Sequence, residues 1–270
     1  MATSPTDGAR SAPSAYLAAP FAGRVALVTG AGSGIGLALV EHLHAAGAHT
    51  YGIVRRAEDV PADGPDMRWL VADVADRAAM AEAFAVVAAA RGRLDVLVSN
   101  AGVARHGQLS EQSPDDVALV VDTNLHGFLT ALAHGIPLLR KASGGGAVVA
   151  VSSVHAQATA PLVAAYAASK AAIVGAARAA ALDHAPEGIR VNAVLPGSVD
   201  TPMLRASARR RAPSDPDGAV REWGLRHPIG RVLTADEVAS AVLFLAGPGA
   251  TGITGIALPV DGGLLARLAL

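Results

Sequence analysis

The sequence predicts a doubly wound α/β fold, a seven-stranded parallel sheet with helices on both faces. Short apolar runs of strand type alternate along the chain with segments patterned as helices, the order that builds a parallel sheet. The first run, Val25–Val28, stops in a turn with glycine at 30, 32, 34 and 36, and Leu37, Leu39, Val40 and Leu43 follow at helical spacing. Polar and glycine residues gather where the runs stop, at Thr29, Asn100, Ser153 and Pro196-Gly197. An open α/β sheet binds its ligand at those strand ends.

Each element has its own signal. Strand, glycine turn and helix in that order leave bare backbone N–H groups at a helix N-terminus where a phosphate can sit. The spacing differs from G-x-G-x-x-G, so the turn also reads as a plain strand–helix corner. His49–Val54 is the second strand and ends in Arg55-Arg56. That is the distance at which such a unit meets an adenosine ribose, and a guanidinium fork there suits a 2′-phosphate. Equally, both arginines could solvate a strand end. Residues 57–66 carry two prolines and a glycine and predict a loop in place of a crossover helix. Trp69–Val71 is the third strand, followed by a helix from Asp76. Leu94–Val98 is the fourth, running into Ser99-Asn100-Ala101-Gly102, and Pro114 to about Leu139 is a helix with a break at Pro137. Asn124 lies inside that helix and must find partners. Ala147–Val151 is the fifth strand, and an Ala-rich helix opens at Pro161 and runs to about His184. Ile189–Leu195 is the sixth. Residues 198–228, with proline at 202, 213, 216 and 228, predict a long irregular substrate loop. Thr234 with Glu237 starts the last helix, and Ile256–Val260 is the last strand.

Bulk properties exclude several classes. Residues 1–20, rich in Ala, Ser, Pro and Thr and without an apolar core, predict a flexible extension, and 21–270 a single domain. A net charge of −1 removes the electrostatic case for nucleic acid, and Arg209-Arg210-Arg211 reads as a solvated face. With no cysteine there are no disulfides and no thiolate chemistry. The most apolar long window, 160–182, is broken by Lys170 and Arg178, which argues against a membrane span and for a cytoplasmic setting.

Tyr166 and Lys170 stand four apart on one helix, and the chain's other lysine is Lys141 alone. A cation beside a phenol favours the phenolate, lowers its pKa and fits tyrosine for general acid–base work. Ser153, at the end of the preceding strand, could hold the same substrate oxygen. Alone, Y-x-x-x-K is also an ordinary helix-surface pair.

The set as a whole resembles the short-chain dehydrogenase/reductase family in its ordinary form, from about Phe21 to Gly263. The matching pieces are Thr29-Gly30-x-x-x-Gly34-x-Gly36, Asp73-Val74, Asn100-Ala101-Gly102, Asn124, Ser153, Tyr166-x-x-x-Lys170, Pro196-Gly197 with Thr201, and Val260-Asp261-Gly262-Gly263. Two departures are Ser99 where the family usually has Asn, and no acidic residue after the second strand.

The resemblance implies a Rossmann-type dinucleotide fold and hydride transfer between a nicotinamide and a ketone or secondary alcohol. It makes Tyr166 the acid–base group positioned by Ser153, Lys170 the holder of the nicotinamide ribose, and Asn124 the anchor of a water that links Lys170 to solvent. Gly30, Ser33, Gly34, Ile35 and Gly36 would meet the pyrophosphate, Asp73 and Val74 the adenine, and Asn100, Ala101 and Gly102 a ribose. Pro196, Gly197, Val199 and Thr201 would meet the carboxamide. Arg55 favours NADP(H), with NAD(H) left open. Val103, Val154, His155, Leu162, Val163, Ser198, Met203, Leu204 and Trp223 are the expected pocket, a mostly apolar set suggesting a small hydrophobic carbonyl or secondary alcohol. Homo-oligomers, commonly tetramers, are the family habit. The competing class is a non-catalytic dinucleotide sensor, which has no use for Ser153, Tyr166 and Lys170 together. A dehalogenase-type lyase would place arginine at Lys170, and an epimerase would need a larger C-terminal substrate region.

Overall fold

The computed structural model describes residues 20–61 and 67–267. Its centre is one seven-stranded sheet: β1 (Val25–Thr29), β2 (His49–Val54), β3 (Met67–Val71), β4 (Val96–Ser99), β5 (Ala147–Val151), β6 (Arg190–Pro196) and β7 (Ala257–Val260). The strands lie in the order β3-β2-β1-β4-β5-β6-β7, and every pair is parallel. The chain winds outward from β1 in one direction and from β4 in the other, so a crevice opens between those two strands.

Alternate side chains of each strand feed two separate cores. Val25, Leu27 and Leu97 pack with one set of helices, and Ala26, Val28, Val96 and Val98 with the other. That two-sided burial explains why the central strands read as unbroken apolar runs. On the first face lie α2 (Arg77–Arg91), α3 (Pro114–Val121), α4 (Gly127–Leu139) and α5 (Ala164–His184). Met80, Phe84, Phe128, Leu139, Ile173 and Ala177 fill that core. On the second face α1 (Gly34–Ala45) and α8 (Ala235–Ala246) bring Leu39, Leu43, Val238, Val242 and Leu245.

Several expectations need correction. Residues 198–228 are not irregular: they hold α6 (Pro202–Arg211) and α7 (Pro216–Arg226). Pro202 and Pro216 each occupy the first helical position, where the missing N–H costs nothing, behind the capping side chains of Thr201 and Asp215. They start helices where the composition suggested a break. Pro137 likewise sits inside α4, which continues to Leu139. The helix expected over 114–139 is interrupted at Asp122–His126, where the backbone widens into a π turn around Asn124. Strand limits shift by one or two residues: β3 begins at Met67, β4 at Val96, β6 at Arg190 and β7 at Ala257, while α5 opens at Ala164. The expected loop after β2 is reduced to one 3-10 turn, Ala57–Asp59, and residues 62–66 of it lie outside the described residues. So does the expected extension over 1–20, apart from Pro20. The capping box of Thr234 and Glu237 forms as expected.

The glycine turn is held by close backbone contact. A methyl placed on Gly36 would run into the Gly30 carbonyl and lie 2.6 Å from Asn100 Nδ2. One placed on Gly30, which has φ +65°, would lie 2.7 Å from Ala101 Cα. Gly36→Ala is therefore expected to lower the unfolding free energy by about 3 kcal/mol, at the upper end for overpacking, as measured by urea denaturation. A wild-type midpoint would show that the turn can relax.

Candidate active site

At the carboxyl ends of the strands lies a cavity of about 1100 Å³. Of the residues expected to meet cofactor or substrate or to take part in catalysis, all line it except Gly36, buried beneath the turn, and Asn124, one layer behind; Thr29 and the Val260–Gly263 segment also lie outside the lining. The β1 and β4 ends are locked together beside it. Thr29 Oγ1 accepts from the N–H groups of Asn100 and Ala101 at 3.1 Å, and Asn100 Nδ2 donates to the carbonyls of Thr29 and Gly30 at 3.1 and 3.0 Å.

One end of the cavity suits a phosphate. Asp76, Ser113, Thr201, Asp215 and Thr234 cap their helices through their side chains, whereas Ser33, ahead of α1, makes no cap hydrogen bond. No acidic residue occupies the first turn of α1, so its N–H groups and the positive end of its dipole face the cavity unopposed. A methyl on Gly32 would lie 2.7 Å from the Asp59 carbonyl and one on Gly34 3.0 Å from Thr201 Cγ2, so bare backbone is what leaves room here. A pyrophosphate fits this cradle. At the nearby β2 end the two arginines part company. Arg56 forks onto Asp59, Nε to Oδ2 at 3.0 Å and Nη2 to Oδ1 at 2.8 Å, while Arg55 lines the cavity.

The other end gathers the acid–base candidates. Lys170 is only 4% exposed and donates from Nζ to the Val151 carbonyl at 2.8 Å. Its Nζ lies 5.7 Å from the centroid of the Tyr166 ring. Burial lowers the Lys170 pKa to about 8. The same burial raises the Tyr166 phenol, and a hydrogen bond with Ser153 acts against that rise. This corrects the expectation that Lys170 acidifies Tyr166. In the protein alone both groups share a poorly solvated pocket, where desolvation penalises phenolate and ammonium alike. Asn124 Oδ1 accepts from Val103 N at 2.8 Å, and its Nδ2 donates to Val103 O at 3.0 Å and Ser169 Oγ at 2.9 Å. The π turn thereby pins the loop after β4 to the helix that carries the Tyr–Lys pair. Val154, Val163, Leu162, Met203, Leu204 and Trp223 line this end as expected. Leu162 holds a positive φ of 70° at its rim.

Other lining residues were not expected. His227, 2% exposed, is bonded at both nitrogens: the partners assign a proton on Nδ1, given to Trp223 O at 2.9 Å, and a lone pair on Nε2, accepting from Ser198 N at 3.1 Å. It props the Pro196-Gly197-Ser198 turn from behind, and nothing local in the sequence marks it. His106 and Arg210 also line the cavity. Met203, Ser207 and Arg210 share a helical face, a spacing that stays hidden while 198–228 is read as irregular.

Comparison with known proteins settles the family. Residues 30–265 match the family model described as enoyl-(acyl carrier protein) reductase. The chain is 37% identical to cis-4-hydroxycyclohexanecarboxylate dehydrogenase of Sinomonas cyclohexanicum, over 91% of this chain and 98% of that one. It is 36% identical to oxidoreductase UcpA of Escherichia coli strain K12, over 89% and 94%. Aldohexose dehydrogenase of Thermoplasma acidophilum superposes with a TM-score of 0.88 at 33% identity, covering 92% of this chain and 96% of that one. The chain belongs to the short-chain dehydrogenase/reductase family. As a member of the short-chain dehydrogenases/reductases it is an oxidoreductase built on a Rossmann-like α/β sheet. Among its described residues no helix is long and apolar enough to cross a membrane.

Proposed function

We propose that the protein interconverts a ketone and a secondary alcohol with a nicotinamide dinucleotide, NADP(H) in preference to NAD(H), and that Tyr166 moves the proton. One observation carries the reading: Tyr166, Ser153 and Lys170 meet at one end of a cavity whose other end is the uncapped N-terminus of α1. When bound, the nicotinamide supplies or accepts the hydride. The chain does the rest. The first turn of α1 with Gly30, Gly34 and Ile35 would hold the pyrophosphate, Asp73 and Val74 the adenine, and Asn100, Ala101 and Gly102 a ribose. Pro196, Gly197, Val199 and Thr201 would face the carboxamide.

In the reducing direction the Tyr166 Oη gives its proton to the carbonyl oxygen as the carbonyl carbon is reduced, and Ser153 orients that oxygen. In the oxidising direction the same Oη must first lose its proton. Lys170 spends one N–H on Val151, and its other two would be left to hold the ribose hydroxyls. Asn124 keeps the loop after β4 against α5, and a water path from Lys170 to solvent would be anchored at the same turn. A dinucleotide sensor would have no use for this trio. Turnover of a ketone panel with NADPH, present in the wild type and lost in Tyr166→Phe, supports the enzyme; no turnover with either cofactor supports the sensor.

The cofactor preference rests on Arg55, which lines the cavity beside the β2 end while Arg56 is committed to Asp59. Arg55→Ala is expected to weaken NADPH about tenfold and leave NADH nearly unchanged, the size of one exposed charge-assisted phosphate contact. Fluorescence titration of both cofactors measures it. Equal loss for the two would remove the 2′-phosphate from the argument.

A further inference from the structure

The substrate end of the cavity is less apolar than its sequence suggested. The carboxylates that line the cavity, Asp59 and Asp73, both belong to the β2 and β3 ends. The Tyr166 end is lined instead by Lys170 and by three arginines of α6 and α7, Arg210, Arg211 and Arg226. Arg211 and Arg226 share the single carboxylate of Glu222, at 3.2 and 2.6 Å, so that trio keeps one net positive charge with each guanidinium held. Arg205, on the same helix as Arg210, is likewise paired with Asp200 and Asp217. Arg210 differs. Among the described residues no carboxylate lies within ion-pair distance of it, and its Nη2 donates to His106 Nδ1 and to Ser207 Oγ, each at 3.1 Å.

His106 is held in place to receive it. The preceding residue, Arg105, is tied to Asp116 at 2.8 Å, and the following N–H, of Gly107, donates to the Leu162 carbonyl at 2.9 Å. With Nδ1 accepting from Arg210, the ring carries its proton on Nε2 and is neutral. Burial and the nearby guanidinium both hold its pKa below the ordinary histidine value. His155 completes the group: its ring meets Tyr166 edge-on at 5.7 Å, and its Nδ1 shares a 3.0 Å hydrogen bond with Thr159. Burial, then His106, lowers its pKa too. Arg210, without a carboxylate partner, and two neutral imidazoles therefore border the space above Tyr166, with no acid among the lining residues there.

We propose that the substrate is a keto acid or hydroxy acid whose carboxylate, remote from the reacting carbonyl, is bound by Arg210 and by His106 across the cavity mouth. With both Nη2 hydrogens given to His106 and Ser207, Arg210 keeps its charge and the Nη1 and Nε hydrogens for a carboxylate, and His106 Nε2–H supplies a further donor. Cationic lining without opposing acids also raises the local concentration of anionic substrates. The apolar residues below, Val154, Met203 and Trp223 among them, take the carbon skeleton between carboxylate and carbonyl. This assignment rests on the ketone–alcohol reading of the same site.

A series of methyl-ketone acids of increasing chain length, each compared with its own carboxamide, tests it with NADPH. The wild type is expected to prefer the acid of the fitting length about tenfold in kcat/KM, mainly through KM, as a charge-assisted hydrogen bond to substrate would produce. Arg210→Gln should bring the preference close to unity, and Arg209→Gln, outside the cavity lining, should keep it. Equal use of acids and amides by the wild type, or equal loss of both in Arg210→Gln, overturns the proposal. Calorimetric titration of the same acids and amides into the NADP⁺-loaded protein separates the two readings. Acid-selective binding that depends on Arg210, without turnover, would leave the carboxylate site standing and sink the reaction. Binding without that selectivity would sink the carboxylate site.

Discussion

Tyr166→Phe is expected to lower kcat for ketone reduction by about 10²–10⁴-fold, the range that a positioned general acid contributes, with Tm within a few degrees of wild type. Phenylalanine keeps the ring. The edge-on contact with His155 and the position 5.7 Å from Lys170 Nζ both survive, so packing changes little. What is lost is one oxygen, with its hydrogen bond to Ser153. A pH profile of the wild type adds a directional check. Burial holds the phenol above its ordinary value in the free protein, so the proton needed for reduction is present throughout neutral pH. Oxidation of the alcohol needs the phenolate and should accelerate as pH rises through the alkaline range. Reduction that vanishes below pH 8, or a Tyr166→Phe enzyme at full speed, would remove Tyr166 from the proton step.

Lys170→Met is expected to abolish turnover and, at pH 7, to raise stability. The ammonium is 4% exposed, its pKa is lowered to about 8, and its hydrogen bond to Val151 does not offset the loss of water. The unfolded chain holds that proton up to about pH 10.5. Between pH 8 and 10.5 the unfolded state therefore binds more protons, and wild-type stability from this group rises with pH. Below pH 8 the penalty is fully present, at most roughly 3 kcal/mol from the size of the shift. Methionine removes the charge while filling a similar volume. Its Tm advantage should be largest near pH 7 and shrink by pH 10, as scanning calorimetry at both values would show. A pH-independent difference would mean that the buried charge is not the cause. With loaded cofactor the wild type should recover part of the gap, since ribose hydroxyls would give the ammonium partners.

How much of the molecule was legible depended on the range of the interaction involved. The strands and the β1–α1 turn were readable because apolar runs and glycine spacing are local, and each strand of the doubly buried sheet must be apolar throughout. Tyr166 and Lys170 were readable as a pair because a helix places residues four apart on one face. The same local reasoning failed at 198–228. Pro202 and Pro216 read as breakers until Thr201 and Asp215 are seen capping the helices they begin. At 209–211 the expected solvated helix face forms, but only the folded chain shows that Arg210 meets His106 while Arg211 meets Glu222.

From its residues alone, then, this protein was determined to be a doubly wound α/β chain with a phosphate-ready turn and an acid–base pair on one long helix. Those features follow from near neighbours and from matches distributed in order along the sequence. Only the tertiary structure decided which groups are charged and which are spoken for. The proton affinities of Tyr166 and Lys170 follow from how little water reaches them. His227 is seen to support Ser198 only when α7 is packed against the β6 end. Arg210 meets His106 from 104 positions away, and no helical period or motif spacing spans that distance. Burial and long-range approach are properties of the folded chain, and the glycine turn becomes one end of a site because the sheet brings Tyr166 and Lys170 to the other.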